Sequence, residues 1–337
     1  MGGDFAPQSA VAGSVLAIQE KPDLKISLVG EKESIQSELD KYSFLPETIQ
    51  IVHAPDVISM YDSPTKAIKT KPDSSIVKGL QFHKDGKADG FISMGNTGAV
   101  MTIAIFTLGR IKNVKRPTIG AFFPNPKNGC LVLDVGASLE VRPIHLFQFA
   151  IMGEIFYSHL FNLDNIRVGL LNVGEEKGKG TQLHIAAHQL LSKLPSFIGN
   201  VEGRDILSGA VDVVVCDGFS GNLLLKFASS IFPFVRAQAG KFMNNKLAEK
   251  TGLWLMKDSL SQLQKSLDYQ EYGGVPLLGV NGTVVIGHGK SSPKAFKNAI
   301  LNARKMIREN INGIIRSKLS ESLDEMPKTT HSESATA

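Results

Sequence analysis

Apolar and polar positions along this chain follow two periods in alternation. Short β-branched runs that stop at glycine-, asparagine- or aspartate-bearing turns predict strands at 25–29, 49–53, 91–93, 131–135, 168–172, 211–216 and 283–286. Between them, helical spacing predicts helices over 98–108, 143–160, 181–194 and 293–315, with Pro143 and Pro293 suited to first-turn positions. Strand and helix alternating in this way predict βαβ units, a largely parallel sheet and helices on both faces: an α/β/α sandwich. The run from Val211 to Lys226 carries most information. An apolar strand stops at Asp217-Gly218-Phe219-Ser220-Gly221-Asn222 and resumes as a helix, and such turns line ligand sites at the carboxyl edge of open sheets. The same grammar recurs at 88–98, 130–138, 167–181 and 283–292.

Between about 238 and 274 the strand signal stops. Leu253, Met256, Leu260, Leu263 and Leu267 recur at three- and four-residue steps, which predicts a helical hairpin insertion in an otherwise single domain spanning residues 1–316. Lysines surround its seam, and Trp254 and Leu255 sit near a turn at Thr251-Gly252 beside Lys250 and Lys257. This pattern suits either packing on the protein's own core or a second copy, or docking on a membrane or partner. Residues 317–337 turn polar and are expected to be a disordered tail.

Composition narrows the possibilities. The 337 residues carry 37 basic against 32 acidic side chains, a formal net charge of +5 that favours acidic partners. No arginine-rich tract or aromatic-studded basic strand points to nucleic acid. Cys130 and Cys216, both inside apolar runs, make neither a disulfide framework nor a metal motif, so a reducing, cytoplasmic setting is expected. His184 and His188 stand four apart without an evident third ligand, so no metal is expected.

Several turns bear chemistry. Gly95-Asn96-Thr97-Gly98 follows a strand and opens a helix, where free amides and the helix dipole favour an anion; Asn96 or Thr97 either caps that helix or binds phosphate. Residues 174–181 place two carboxylates, two lysines including Lys179, and three glycines in one loop, able to hold an anion and relay protons or simply to be solvated. Asp217 and Asn222 are better candidates than Cys216, which has no histidine near it in sequence; Lys226, one turn on, either reaches back or faces solvent. His288 between two glycines suits general acid or base work, or a structural turn. Neither GxGxxG nor GxxxxGK[ST] occurs, which counts against dinucleotide and nucleoside triphosphate chemistry.

Met1-Gly-Gly-Asp-Phe-Ala-Pro7, 93–99, Leu133-Asp-Val-Gly-Ala137, 148–153, 168–176 with Lys179-Gly180, Asn200-Val-Glu-Gly-Arg-Asp205, Cys216-Asp-Gly-Phe-Ser-Gly-Asn222, 268–274 and His288-Gly289 together resemble the phosphate acyltransferases of the PlsX type, in order over nearly the whole chain. The resemblance implies transfer of a fatty acyl group from acyl carrier protein to inorganic phosphate for phospholipid synthesis. It implies a homodimer, no cofactor, and a fold related to phosphate acetyltransferases and isocitrate-type dehydrogenases. A membrane acyl-phosphate:glycerol-3-phosphate acyltransferase is the implied consumer of the product, with peripheral association at the inner face of the membrane through the hairpin around Trp254. Phosphate is then expected at Gly95, Asn96, Thr97, Gly98, Asp134, Ser138, Gly218 and Lys226, with Asp217, Asn222, Lys179 and His288 as catalytic candidates. The alternatives are an acyl-CoA-dependent phosphate acyltransferase and a non-catalytic scaffold for carrier protein or membrane enzyme. Two departures stand out: Met1 occupies the place where the family pattern has a short hydrophobic strand leading into Gly-Gly-Asp, and Ser138 stands where asparagine is common.

Overall fold

The structure, a computed structural model, describes residues 2–42, 48–242 and 273–324. The expected hairpin, with Lys250, Trp254, Leu255 and Lys257, lies outside the described residues. Ten strands organise the rest: β1 Ile26–Gly30, β2 Ile49–His53, β3 Gly90–Ser93, β4 Thr118–Phe123, β5 Cys130–Leu133, β6 Val168–Leu171, β7 Phe197–Val201, β8 Val213–Val215, β9 Val275–Leu278 and β10 Thr283–Ile286. Eight form one sheet in the order β3-β10-β9-β4-β5-β8-β6-β7, while β1 and β2 pair separately. Pairing is parallel at both ends of the large sheet and antiparallel at its centre, where β9 and β4 lie.

Three strands escape the sequence reading, each for a visible reason. β4 carries Gly120 between Pro117 and Pro124, β7 carries Gly199, and β9 carries Pro276. Glycine and proline weaken a strand signal even where the position is fully enclosed. Gly120 is required by close packing, since a Cβ there would come within 2.8 Å of Leu131 and Leu133.

Helices cover both faces. On one lie α1 Gln8–Glu20, α6 Pro143–Phe161, α7 Gln182–Leu191, α10 Pro293–Arg308 and α11 Ile311–Asp324. On the other lie α3 Pro64–Thr70, α4 Ser75–Lys84, α5 Thr97–Leu108, α8 Gly203–Ser208 and α9 Gly218–Phe242, while the short α2 Lys32–Leu39 packs with β1 and β2. Strand alternation feeds the two cores: Leu131, Leu133, Val213 and Val215 enter the first, and Cys130, Val132, Val214 and Cys216 the second. This is the three-layer sandwich expected. The helix expected over 293–315 is two helices, broken where Asn310 adopts a left-handed φ of 52°. α11 continues to Asp324, past the boundary expected at residue 316, because Ile311, Ile315 and Leu319 keep burying one face. α9 likewise runs through residue 238 to Phe242 without a break.

A cavity of about 740 Å³ separates β1 from β3 and is lined by Ile26, Leu28, Phe91, Phe296 and Ile300, with Gly2 beside it. As strands, β1 pairs with β2 and β3 with β10, and the two are not neighbours in one sheet.

Candidate active site

The turns singled out from sequence gather into three groups. In the first, the turn after β3 meets the N-terminal segment and the turn after β10. Asp4 N–H donates to the Gly289 carbonyl at 2.7 Å, and Gly2 lies so close to Gly95 that a Cβ on it would stand 3.2 Å from the Gly95 Cα. Asn96 is 8% exposed and fully engaged. Its Oδ1 accepts from the Ala99 amide at 3.0 Å, capping α5, while its Nδ2 donates toward the carbonyls of Ser59, Met60 and Asp62 at 3.0, 3.3 and 3.1 Å. The side chain therefore has no donor left for an anion, and of the two roles open to it the cap is the one occupied. The groups that remain are the Thr97 and Gly98 amides in the first turn of α5, which have no acceptor among the described residues, and the exposed Thr97 side chain, which the cap leaves to solvent. His288 is exposed; its Nδ1 accepts from the Lys290 amide at 3.1 Å.

The second group joins the turn after β5 to the start of α9. Gly218 N–H donates to the Ser138 carbonyl at 2.9 Å, so Ser138 is tied through its backbone whatever side chain it bears. A Cβ on Gly221 would fall 1.9 Å from the Asp134 carbonyl oxygen, and one on Gly218 would fall 2.6 Å from that of Ser138. Only glycine allows the helix to approach the turn this closely. Asn222 faces Gly136, its Cγ 3.6 Å from where a Cβ would be. Asp217 caps α9, accepting from the Ser220 amide at 2.9 Å and its hydroxyl at 2.7 Å. Lys226 is exposed one turn beyond Asn222.

Asp134 is the unusual member. It is completely buried; Oδ1 accepts from the Gly136 and Ala137 amides at 3.0 and 2.8 Å, while Oδ2 has no partner. Burial pushes its pKa up to about 6, against the opposing pull of surrounding backbone amides. Cys216 lies fully buried behind the turn, and its thiol, pushed well up by burial, donates to the Asp134 carbonyl at 3.3 Å. That is a packing cysteine, not a nucleophile.

In the third group Lys179 sits half-exposed on the loop after β6, its Nζ 4.0 Å from Glu176. The loop is tied by side chains to which the sequence assigned no such role, Asn200 and His188 among them buried. Asn200 Nδ2 donates to the Glu176 carbonyl at 2.8 Å, and Asn200 Oδ1 lies 3.0 Å from His188 Nδ1. Asn172 holds the Lys179 carbonyl at 3.0 Å. The contacts named here link residues within each group; Lys179, His288 and Asp217 thus sit in three different ones.

Along α9, Phe219, Leu223 and Phe227 repeat every four residues and are each more than 60% exposed, forming an uncovered apolar stripe among the described residues. No described helix is long and apolar enough to cross a membrane.

The architecture is that of known acyl-transferring proteins. A phosphotransacetylase from Streptococcus pyogenes superposes with a TM-score of 0.56 at 17% identity, covering 90% of this chain and 93% of that one. A branched-chain phosphotransacylase from Enterococcus faecalis gives 0.54 at 12% identity, over 91% and 96%. These likenesses establish the fold. In sequence, the chain is 45% identical over 328 residues to a phosphate acyltransferase of Halothermothrix orenii, covering 95% of this chain and 97% of the relative. It is 45% identical over 323 residues to a phosphate acyltransferase of Nitratiruptor sp., covering 95% and 96%. With the family model described as "Fatty acid synthesis protein" matching residues 1–313, the chain belongs to that family.

Proposed function

We propose that this protein transfers a fatty acyl group from the thioester of acyl carrier protein to inorganic phosphate, yielding acyl phosphate for phospholipid synthesis. The observation that carries this reading is the 45% identity over 95% of the chain to proteins named phosphate acyltransferase. The geometry supports it. Phosphate is held near the Thr97 and Gly98 amides, where the positive end of α5 favours an anion. A phosphate oxygen attacks the thioester carbonyl carbon, the carbonyl oxygen takes up negative charge, and collapse expels the carrier's thiolate with cleavage of the C–S bond. Positioning alone contributes several kcal/mol to such a reaction. Each oriented donor to the oxyanion adds roughly 3 kcal/mol; Asn222, over the Gly136 turn, is the side-chain candidate. Asp134, with a pKa of about 6 and one unpaired oxygen, is suited to holding or releasing a proton near neutral pH. Lys179 and His288 belong to the same site in this reading, as does Asp217, whose cap fixes the start of α9.

The protein acts as a homodimer, for which the apolar stripe of α9 is the supporting feature. It is cytoplasmic and touches the inner face of the membrane through the segment around Trp254, handing acyl phosphate to a membrane glycerol-3-phosphate acyltransferase. Incubating the protein with acyl carrier protein thioester should release free thiol only when phosphate is present, with acyl phosphate trapped as the hydroxamate. Equal or faster release from acyl-CoA would shift the donor assignment, and no phosphate-dependent release from either would leave the scaffold reading.

A further inference from the structure

Several cations for which the structure shows ion pairs are tied to carboxylates on other elements: Arg167 to Asp212 at 2.7 Å, Arg204 to Glu175 at 2.9 Å, Lys297 to Glu20 at 2.8 Å and Lys71 to Asp62 at 2.5 Å. The connection from α5 to β4 is different. Arg110, Lys112, Lys115 and Arg116 are all exposed on it, Arg142 is exposed at the start of α6, and none of the five makes an ion pair among the described residues. No aspartate or glutamate occurs in the sequence between Asp89 and Asp134. Three of the charges lie near one another, since the buried His145 has its pKa held down first by burial and then by Arg116, Arg142 and Lys115 together, and the Arg110 guanidinium donates to the Lys115 carbonyl. Glu140 and Glu321 are the nearby acids, and Glu321 already pairs with Lys318.

This loop is firmly built. The buried Gln148 accepts from the Lys115 amide and donates to the Asn113 carbonyl, both at 2.8 Å. Ile111 N–H donates to the Gly279 carbonyl at 3.0 Å, Asn281 Nδ2 donates to the Arg110 carbonyl at 2.8 Å, and Asn113 reaches Ser320 at 3.3 Å. It also stands beside the candidate site. β4 runs antiparallel to β5 with Gly120 opposite Leu133, so the entry to β4 at Arg116 shares a sheet edge with the Asp134–Ser138 turn. Val135 N–H donates across to the Ile119 carbonyl at 3.0 Å.

We propose that Arg110, Lys112, Lys115, Arg116 and Arg142 form the docking surface for the acidic face of the acyl carrier protein. The proposal rests on the reading that this carrier delivers the acyl group, and it gives that reading a place of encounter. A thioester on a flexible prosthetic arm must enter from a surface bordering the reacting turn, and this edge borders it. Fixed, unpaired like charges attract an acidic partner over distance and raise its encounter rate. A membrane is the poorer fit, because Ile111, Val114 and Pro117 of the loop are buried and the exposed Leu139, three residues before Arg142, is a single apolar group to insert. A nucleic acid is poorer still, since no aromatic side chain stands in the loop for bases to stack on.

Lys112→Glu with Lys115→Glu reverses two side chains that make no described hydrogen bond. With carrier-protein thioester as donor, KM should rise on the order of 10-fold while kcat stays within about 2-fold, and the salt dependence of KM should flatten. A small acyl thioester without carrier should be turned over as before, and a carrier with acidic residues changed to lysine should recover KM against the variant. Apo carrier protein labelled for anisotropy supplies a readout independent of turnover. If it binds the wild type and not the variant while no thioester is consumed, the docking surface stands and the acyl-transfer reading fails. Unchanged carrier affinity and KM in the variant, equal loss with the small thioester, or loss of anionic-vesicle binding in place of carrier binding would each overturn the docking surface.

Discussion

The turn after β3 and the turn after β5 look alike in sequence, each a short strand running into a glycine-bearing loop, yet the fold uses them in opposite ways. Both polar atoms of the Asn96 side chain are engaged in structure, and the backbone amides at the head of α5 and the exposed Thr97 side chain remain for a ligand. Around Asp134 the backbone is interlocked with α9 through Gly218 and Gly221, and a side-chain oxygen is left unpaired. One turn thus presents free backbone amides at a helix head and the other a buried acid, a difference that residue types alone do not reveal.

The sharpest test of that contrast is a pair of glycine substitutions. Gly221→Ala should destabilise the protein by about 3 kcal/mol or more, the upper range of overpacking, and abolish turnover, since its Cβ would collide with the Asp134 carbonyl. Gly95→Ala meets its nearest neighbour at 3.3 Å, a flexible serine hydroxyl, and should be far milder. Equal denaturation midpoints for the two variants would dissolve the distinction.

Next in size comes the acid itself. Asp134 protonates near its ordinary 3.8 when unfolded but near 6 when folded, so between those values the folded chain holds the extra proton. Its contribution to stability is complete below about pH 4 and is lost as pH rises through 6. Asp134→Asn should therefore gain on the native protein by roughly 3 kcal/mol between pH 4 and pH 7.5, at about 1.4 kcal/mol per pKa unit. Parallel urea titrations at the two pH values decide it.

Asn96→Ala removes a cap and the tie to the 59–62 loop, and should cost about 1–2 kcal/mol. Its effect on turnover should appear as a raised KM for phosphate, because the α5 amides lose their alignment. Smallest in stability, Asn222→Ala should leave the melting temperature nearly unchanged yet lower kcat by 10²- to 10³-fold if its amide serves the oxyanion. An unaltered kcat would confine the second turn to Asp134 and the backbone.

Much of the layering was legible because β-branched runs such as Val213–Val215 are buried on both faces and keep their pattern. β4, β7 and β9 were hidden by Gly120, Gly199 and Pro276; close packing demands the first, while Gly199 serves a positive φ of 115° with open space beside it. Motif positions were legible too, but roles were not. Asn96 finds its partners 34 to 37 residues back in sequence, and Gly221 meets a carbonyl that is 87 positions away. The basic loop at Arg110–Arg116 was visible as four charges in seven residues, and only its place at the sheet edge gives it meaning.

The sheet's strand order also has a history in time. β4, β5, β6, β7 and β8 all come from residues 118–215 and pair among themselves, whereas β3 must wait for β9 and β10 from residues 275–286. During synthesis the first set can close as soon as it emerges, while the second depends on contacts between distant parts of the chain and forms later. The acid-bearing turn is thus poised to form early, and the turn after β3 is completed only when the last strands arrive.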